Sequence, residues 1–214
     1  MKKNNELPKI IPVFPLSNFI IFPETTVPLN IFEPRYVQMI DDCMKGDRML
    51  GIIQPKKTGD LKKPDLFQVG CLGKITSFNE AEDGRYLIVI NGVCRFKIIN
   101  ELANEKMYRQ YNVSYENFSE DTLKKNIEIK FSDLKLIFND LKSLFKKQGY
   151  VINWKELEKQ SLDNTINTLA MASPFSLEEK QVLLETIDLQ SRKKKLEEIL
   201  KIYTSDNFSN KTLQ

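Results

Sequence analysis

A chain of 214 residues with 41% hydrophobic side chains, 29% charged side chains and a mean hydropathy of -0.37 can bury a substantial core, which excludes wholesale disorder and a membrane-embedded body. The 32 Lys+Arg against 29 Asp+Glu leave a formal charge of +3, too small a surplus to point to a polyanionic partner. Histidine is absent, so a Ser-His-Asp triad, a Cys-His dyad, a His-liganded zinc and histidine acid-base chemistry are all excluded.

At the amino terminus Lys2 and Lys3 precede an apolar stretch from Ile10 to Phe22, but Pro12, Pro15, Ser17 and Asn18 interrupt it and no small-x-small cleavage signal follows. No run reaches the ~18 apolar residues that span a bilayer. The expectation is a cytoplasmic protein without a membrane partner. Up to about Glu116, short apolar or alternating runs are separated by turn signals, as in a strand-rich domain. The predicted strands are Ile10 to Phe14, Val27 to Ile31, Met49 to Gln54, Gln68 to Phe78, Arg85 to Asn91, Val93 to Asn100 and Met107 to Glu116. Asp83-Gly84 supplies positive-φ chemistry for a tight hairpin. In the last run Met107, Arg109, Tyr111, Val113 and Tyr115 share one face, and Tyr108, Gln110, Asn112 and Ser114 the other.

One helix interrupts this region: Pro34 suits a first helical position, and Tyr36, Met39, Ile40, Cys43 and Met44 recur at helical spacing before Gly46. The polar segment Lys56 to Lys63 reads as an exposed loop. From Asp121 the period becomes helical. Ile127, Phe131, Leu134, Phe138, Leu141 and Phe145 form an apolar seam that stops at Gly149. A second helix runs from Trp154 to Ala172, a capping box at Ser176 and Glu179 opens a third to about Asp188, and Gln190 to Tyr203 forms the fourth. The tail from Thr204 is polar and reads as frayed.

Little in the chain reads as chemistry. Cys43, Cys71 and Cys94 are scattered and lack CxxC spacing, so they read as small core residues in a reducing compartment, with no metal site. Gly70-Cys-Leu-Gly73-Lys74 lacks the spacing of a phosphate cradle, and no cofactor is expected. A Ser-Lys dyad has no support beyond the abundance of both residues. Arg192 to Lys195 reads as a solvated helix face, and Tyr108, Tyr111 and Tyr115 as sheet core in preference to base-stacking groups. Phe19-Ile-Ile-Phe22 lies between Pro15 and Pro23 and has two readings. It is a buried loop or short edge strand plugging a barrel, or an exposed ridge that engages extended polypeptide.

The region Ile11 to Glu116 resembles the amino-terminal substrate-recognition domain of the ATP-dependent protease Lon. The likeness rests on Ile11-Pro-Val-Phe-Pro-Leu16 with Phe22-Pro23 and Pro28-Leu-Asn-Ile-Phe-Glu-Pro-Arg-Tyr36. Gly51-Ile-Ile53 with Val69-Gly70 and Gly73-Lys-Ile75 adds to it, as does Asp83-Gly-Arg-Tyr86 through Gly92-Val-Cys-Arg-Phe96. Glu179 to Glu185 and Asp188 to Arg192 resemble the helical part that follows. Glu24 departs from the family, which has Gly there, so the loop is expected to take a different path.

The resemblance implies an α+β fold: a PUA-like, bent β pseudo-barrel with one short helix over residues 1–117 and a helical bundle over 118–205; the polar residues 206–214 read as a disordered tail. It implies recognition without catalysis, since neither a Walker A motif nor a protease module is present in these residues. The partner is then unfolded or extended polypeptide, or a protease or chaperone component, with a homodimer compatible with the sequence. RNA binding is the second reading that a PUA-like fold leaves open. The residues placed in substrate binding are Phe19, Ile20, Phe22, Phe32 and Tyr36. Glu33 is expected to cap the helix begun by Pro34, and Glu33 or Arg35 to pair with an opposite charge such as Arg95.

Overall fold

The computed structural model describes residues 7–59, 63–122, 134–147, 149, 153–157 and 159–209. The chain divides into two compact units, 1–123 and 124–214. In the first, β1 (Ile10–Pro15), β2 (Thr26–Ile31), α1 (Pro34–Lys45), β3 (Met49–Gly59), β4 (Pro64–Glu80), β5 (Tyr86–Leu102) and β6 (Arg109–Ser114) are followed by a 3-10 helix, η1 (Glu116–Thr122). The sheet runs β2-β5-β4-β3-β1-β6, and β6 pairs again with β5. That second pairing closes five strands into a ring and leaves β2 attached to β5 alone among the described residues. All pairings are antiparallel except β1 with β3.

Two predicted strands are one. Gly92 reads as a break, yet β5 passes through it, and the register slip opposite Leu72 and Gly73 bends the strand at Val93. Beyond it β5 leaves β2 and pairs with β6 from Lys97, with a second slip at Ile99 within that pairing. Gly92 is glycine for a steric reason: a Cβ there would meet the Phe22 carbonyl oxygen at 1.9 Å. The segment Lys56 to Lys63, expected as a loop, is partly strand: β3 runs to Gly59, which pairs with Pro64 after a register irregularity beyond Pro55, and residues 60–62 lie outside the described residues. The β4–β5 hairpin turns over five residues with Gly84 alone at positive φ, and Ala81 N–H donates to the Arg85 carbonyl.

Inside the ring, Ile11, Val13, Ile53, Leu72, Phe96, Tyr111 and Val113 form one apolar cluster. Each such side chain contributes about 1.5–3 kcal/mol on burial. The β6 alternation holds from Arg109 onward, but Met107 is exposed and Tyr108 is buried, because residues 105–108 bend before the strand starts.

The helix α1 begins at Pro34 as expected, with Tyr36, Met39, Ile40 and Cys43 inward. Glu33 occupies the N-cap position without a side-chain cap bond. Instead its Oε2 accepts from Arg35 Nε at 3.0 Å and Nη2 at 2.8 Å. Arg95 pairs elsewhere: its Nη2 lies 2.7 Å from Asp121 Oδ1, its Nε donates to Asp121 Oδ2 at 2.8 Å, and its guanidinium lies 4.4 Å from the Phe118 ring centroid. These contacts draw η1 onto β5, so the first unit ends beyond the expected boundary at 117.

The second unit holds α2 (Lys135–Lys147), α3 (Trp154–Leu157), α4 (Leu162–Ala172), α5 (Leu177–Glu185) and α6 (Leu189–Ser209). The seam residues Leu134, Phe138, Leu141 and Phe145 are buried, and Gly149 has φ 75; Ile127 and Phe131 lie outside the described residues. The stretch from Trp154 to Ala172 is two helices, since the Ser161 hydroxyl accepts from Asn164 N–H and starts a new one. The Ser176–Glu179 capping box is formed on both sides. Against the expected solvated face, Arg192 is buried and donates through Nη1 to Asn167 Oδ1 at 2.7 Å and through Nε to the Leu183 carbonyl. Lys193 and Lys195 do pair with Glu197 and Glu198 along the helix. The backbone of α6 continues past Thr204 to Ser209, into the segment expected to be a disordered tail; residues 210–214 lie outside the described residues.

Candidate functional site

The five residues placed in substrate binding go to three different places. Ile20 and Phe22, at 2% and 0% exposure, are core, and Ile21 between them is buried as well; Phe19 is half-buried. Ile20 to Phe22 are therefore buried, and the exposed ridge is not formed. Thr25 holds this segment in place: its hydroxyl donates to the Phe22 carbonyl at 2.6 Å and accepts from Phe22 N–H at 3.2 Å. Glu24 N–H then donates to the Gly92 carbonyl and Gly92 N–H to the Thr25 carbonyl, each at 2.9 Å. Glu24 itself has φ 62, the left-handed conformation that glycine adopts at least cost. Phe32 has the opposite fate and is 66% exposed.

Tyr36 is buried on α1 and forms part of a cleft of about 420 Å³. Apolar walls come from Val13, Pro15 and Leu16 at the end of β1, from Pro55 and Pro64 on the β3–β4 hairpin, and from Met107. Burial raises the Tyr36 hydroxyl pKa, and its ring packs 4.3 Å from Phe14 between centroids. The Arg35 guanidinium lies 4.5 Å from the Tyr36 centroid while bound to Glu33, an arrangement that keeps the charge at the rim and neutralised.

Sequence reasoning missed the opposite wall, Met107 to Arg109. Arg109 holds Glu101 through two bonds, Nε to Oε1 at 3.1 Å and Nη2 to Oε2 at 2.8 Å, and its Nη1 donates to the Pro64 carbonyl at 2.8 Å. These bonds, with Lys63 Nζ at 3.0 Å, hold the Glu101 carboxyl pKa down at about 2. Tyr108 donates to Asp42 Oδ2 at 2.8 Å, Lys106 Nζ lies 2.9 Å from the same oxygen, and Met107 N–H donates to Gln38 Oε1 at 2.9 Å. Tyr86 donates to Asp41 at 2.9 Å, so α1 is gripped at adjacent aspartates by two different strands' approaches. The available signal was Tyr108, an aromatic on the expected polar face of its run.

Among the described residues lining the cleft, no serine or cysteine is hydrogen-bonded to a base. Cys43 borders a smaller neighbouring cavity of about 220 Å³, and burial pushes its thiol up to about 12. Cys71 and Cys94 are buried with thiol pKa values also raised by burial, and all three cysteines are free. Among the described residues no group of three His, Cys, Asp or Glu is placed to hold a metal. No described helix is long and apolar enough to cross a membrane.

A closed, bent sheet with a cleft of mixed polar and apolar lining, followed by helices, defines an α+β architecture. The same architecture occurs in a Lon N-terminal domain protein from Xanthomonas campestris, with TM-score 0.63 and 21% identity over 90% of this chain and 97% of that one. It occurs also in the N-terminal domain of Mycobacterium avium complex Lon protease, with TM-score 0.60 and 17% identity over 90% and 98%. The model of the ATP-dependent protease La (LON) substrate-binding domain matches residues 10–202, and the chain belongs to this family. Relatives include Lon protease of Syntrophus aciditrophicus, 29% identical over 87% of this chain, and Lon protease 2 of Myxococcus xanthus, 24% identical over 91%. The chain covers 24% of each of these two proteins.

Proposed function

We propose that this chain is a non-catalytic recognition module that takes extended or unfolded polypeptide. The observation that carries this reading is the cleft at Tyr36: apolar and proline walls beneath a rim whose charges are paired with each other, in a chain of the LON substrate-binding family. A side chain from an extended segment fits such a site, whereas a phosphate-rich ligand would have to break the Arg35–Glu33 and Arg109–Glu101 pairs first. Tyr36 lines the pocket and exposed Phe32 precedes it in the chain; of the residues first placed in binding, these two remain on the proposed surface. A protease or chaperone component presenting an extended segment would use the same contacts.

The test is binding of a permanently unfolded, carboxymethylated protein against the same protein folded. The unfolded form is expected to bind, with an affinity nearly constant between 50 and 200 mM salt, since few counterions are released. Equal and negligible binding to both forms overturns the proposal. Steep loss of binding with salt, together with retention of RNA, would replace it with the nucleic-acid reading.

A further inference from the structure

The strand β2 ends the sheet, with β5 on one side and no strand on the other among the described residues. Edges of soluble proteins are ordinarily guarded by charged side chains, yet Thr26-Val-Pro-Leu-Asn-Ile31 carries none, in a chain that is 29% charged. Its one guard is Pro28, opposite Val89.

Pro28 also sets the phase of the ladder. It has no N–H to give, so a complete antiparallel ladder has Val27, Leu29 and Ile31 exchanging bonds with Ile90, Ile88 and Tyr86. Thr26, Pro28 and Asn30 then turn their backbone groups to the open side. Independently of this phase, the side chains alternate across the sheet, with Val27 and Ile31 buried and Thr26, Pro28 and Asn30 exposed. On that exposed face Asn30 lies opposite Leu87, which is 46% exposed, and the strand runs on into exposed Phe32.

We propose that an extended segment of client polypeptide adds to β2 as a further strand of the sheet. Open N–H and C=O groups at strand spacing are matched by another extended backbone, and the uncharged face at Leu87 and Phe32 takes apolar side chains at alternate positions. Through Phe32 the edge leads directly to Glu33, Arg35 and Tyr36 of the cleft, so backbone capture at β2 and side-chain capture in the cleft follow one another along the chain. This inference rests on the polypeptide reading and specifies its mode.

The probe is a fluorescent decapeptide of alternating valine and threonine with terminal lysines, compared with the same peptide N-methylated at alternate amides. N-methylation is expected to weaken binding about tenfold, the loss of two or so backbone hydrogen bonds. Asn30→Pro removes an outward N–H at a position equivalent to Pro28 and is expected to cost about tenfold in affinity with an unchanged denaturation midpoint. Pro28→Val restores a donor and is expected to tighten binding by about threefold. Equal affinity for the plain and methylated peptides overturns strand addition even if unfolded protein still binds, which would leave the cleft reading standing. A chain that pairs with its own copy through β2 and ignores the peptide also overturns it. Failure to bind either peptide or unfolded protein removes both readings. Should Asn30→Pro fail to fold, the methylated peptide decides alone.

Discussion

Glu101 shows how much of the cleft wall depends on one carboxylate. It receives two of the three guanidinium nitrogens of Arg109 and the ammonium of Lys63, and Tyr111 donates to it at 3.1 Å. These partners favour the ionised form and lower its pKa from 4.5 to about 2. Because the folded value is the lower one, the stabilisation is present above pH 4.5 and disappears as the pH falls toward 2. Glu101→Gln is therefore expected to cost about 2 kcal/mol at pH 7 and almost nothing at pH 2, measured by urea unfolding at both values. An equal cost at the two pH values would mean that the carboxylate is held by shape and not by charge. Arg109 was visible in the sequence as a strand residue on the Tyr111 face, but its partner eight residues earlier lies on another strand. Spacing along one chain segment does not reveal such a pair.

Among the elements, the loop at Phe22 and β5 are fitted to each other. Phe22 can lie against β5 only because residue 92 has no side chain, next to the register slip that bends the strand at Val93. Gly92→Ala puts a methyl group 1.9 Å from a backbone oxygen, so the loop must move as a whole. The expected cost is about 1–3 kcal/mol, with faster proteolysis between Ser17 and Thr25. Unaltered protease resistance would show that the loop has slack. Periodicity revealed the strands because each buries one face, and the capping box at Ser176 because its chemistry is local. It split β5 in two since glycine inside a strand and glycine between strands look alike without the Phe22 carbonyl that explains it. It likewise merged α3 and α4, where a single hydroxyl at Ser161 outweighs the continuing apolar spacing. Arg192 misled for the same reason, as its partners Asn167 and Leu183 come from two other helices.

At the scale of the molecule, the closing step of the first unit lies after its last strand. Closure of the ring by β6 on β5 joins residues far apart in sequence, and η1 then covers Arg95, whose side chain is 2% exposed against 10% for Asp121. A chain ending at residue 117, the boundary suggested by the change from strand to helix periodicity, would lose Asp121 and Phe118 and leave that guanidinium without its carboxylate. One ending at 123 keeps both. Removing one partner of a buried ion pair costs about 3–5 kcal/mol, so fragment 1–123 is expected to unfold cooperatively near the midpoint of the full chain, and fragment 1–117 to be less stable by at least that amount. Circular dichroism with urea titration measures both. Equal stability of the two fragments would show that Arg95 finds another acceptor and that η1 belongs functionally to the helical unit. A stable 1–123 that also binds the unfolded protein as the full chain does would place recognition in the first unit, where the cleft and the open edge of β2 both lie.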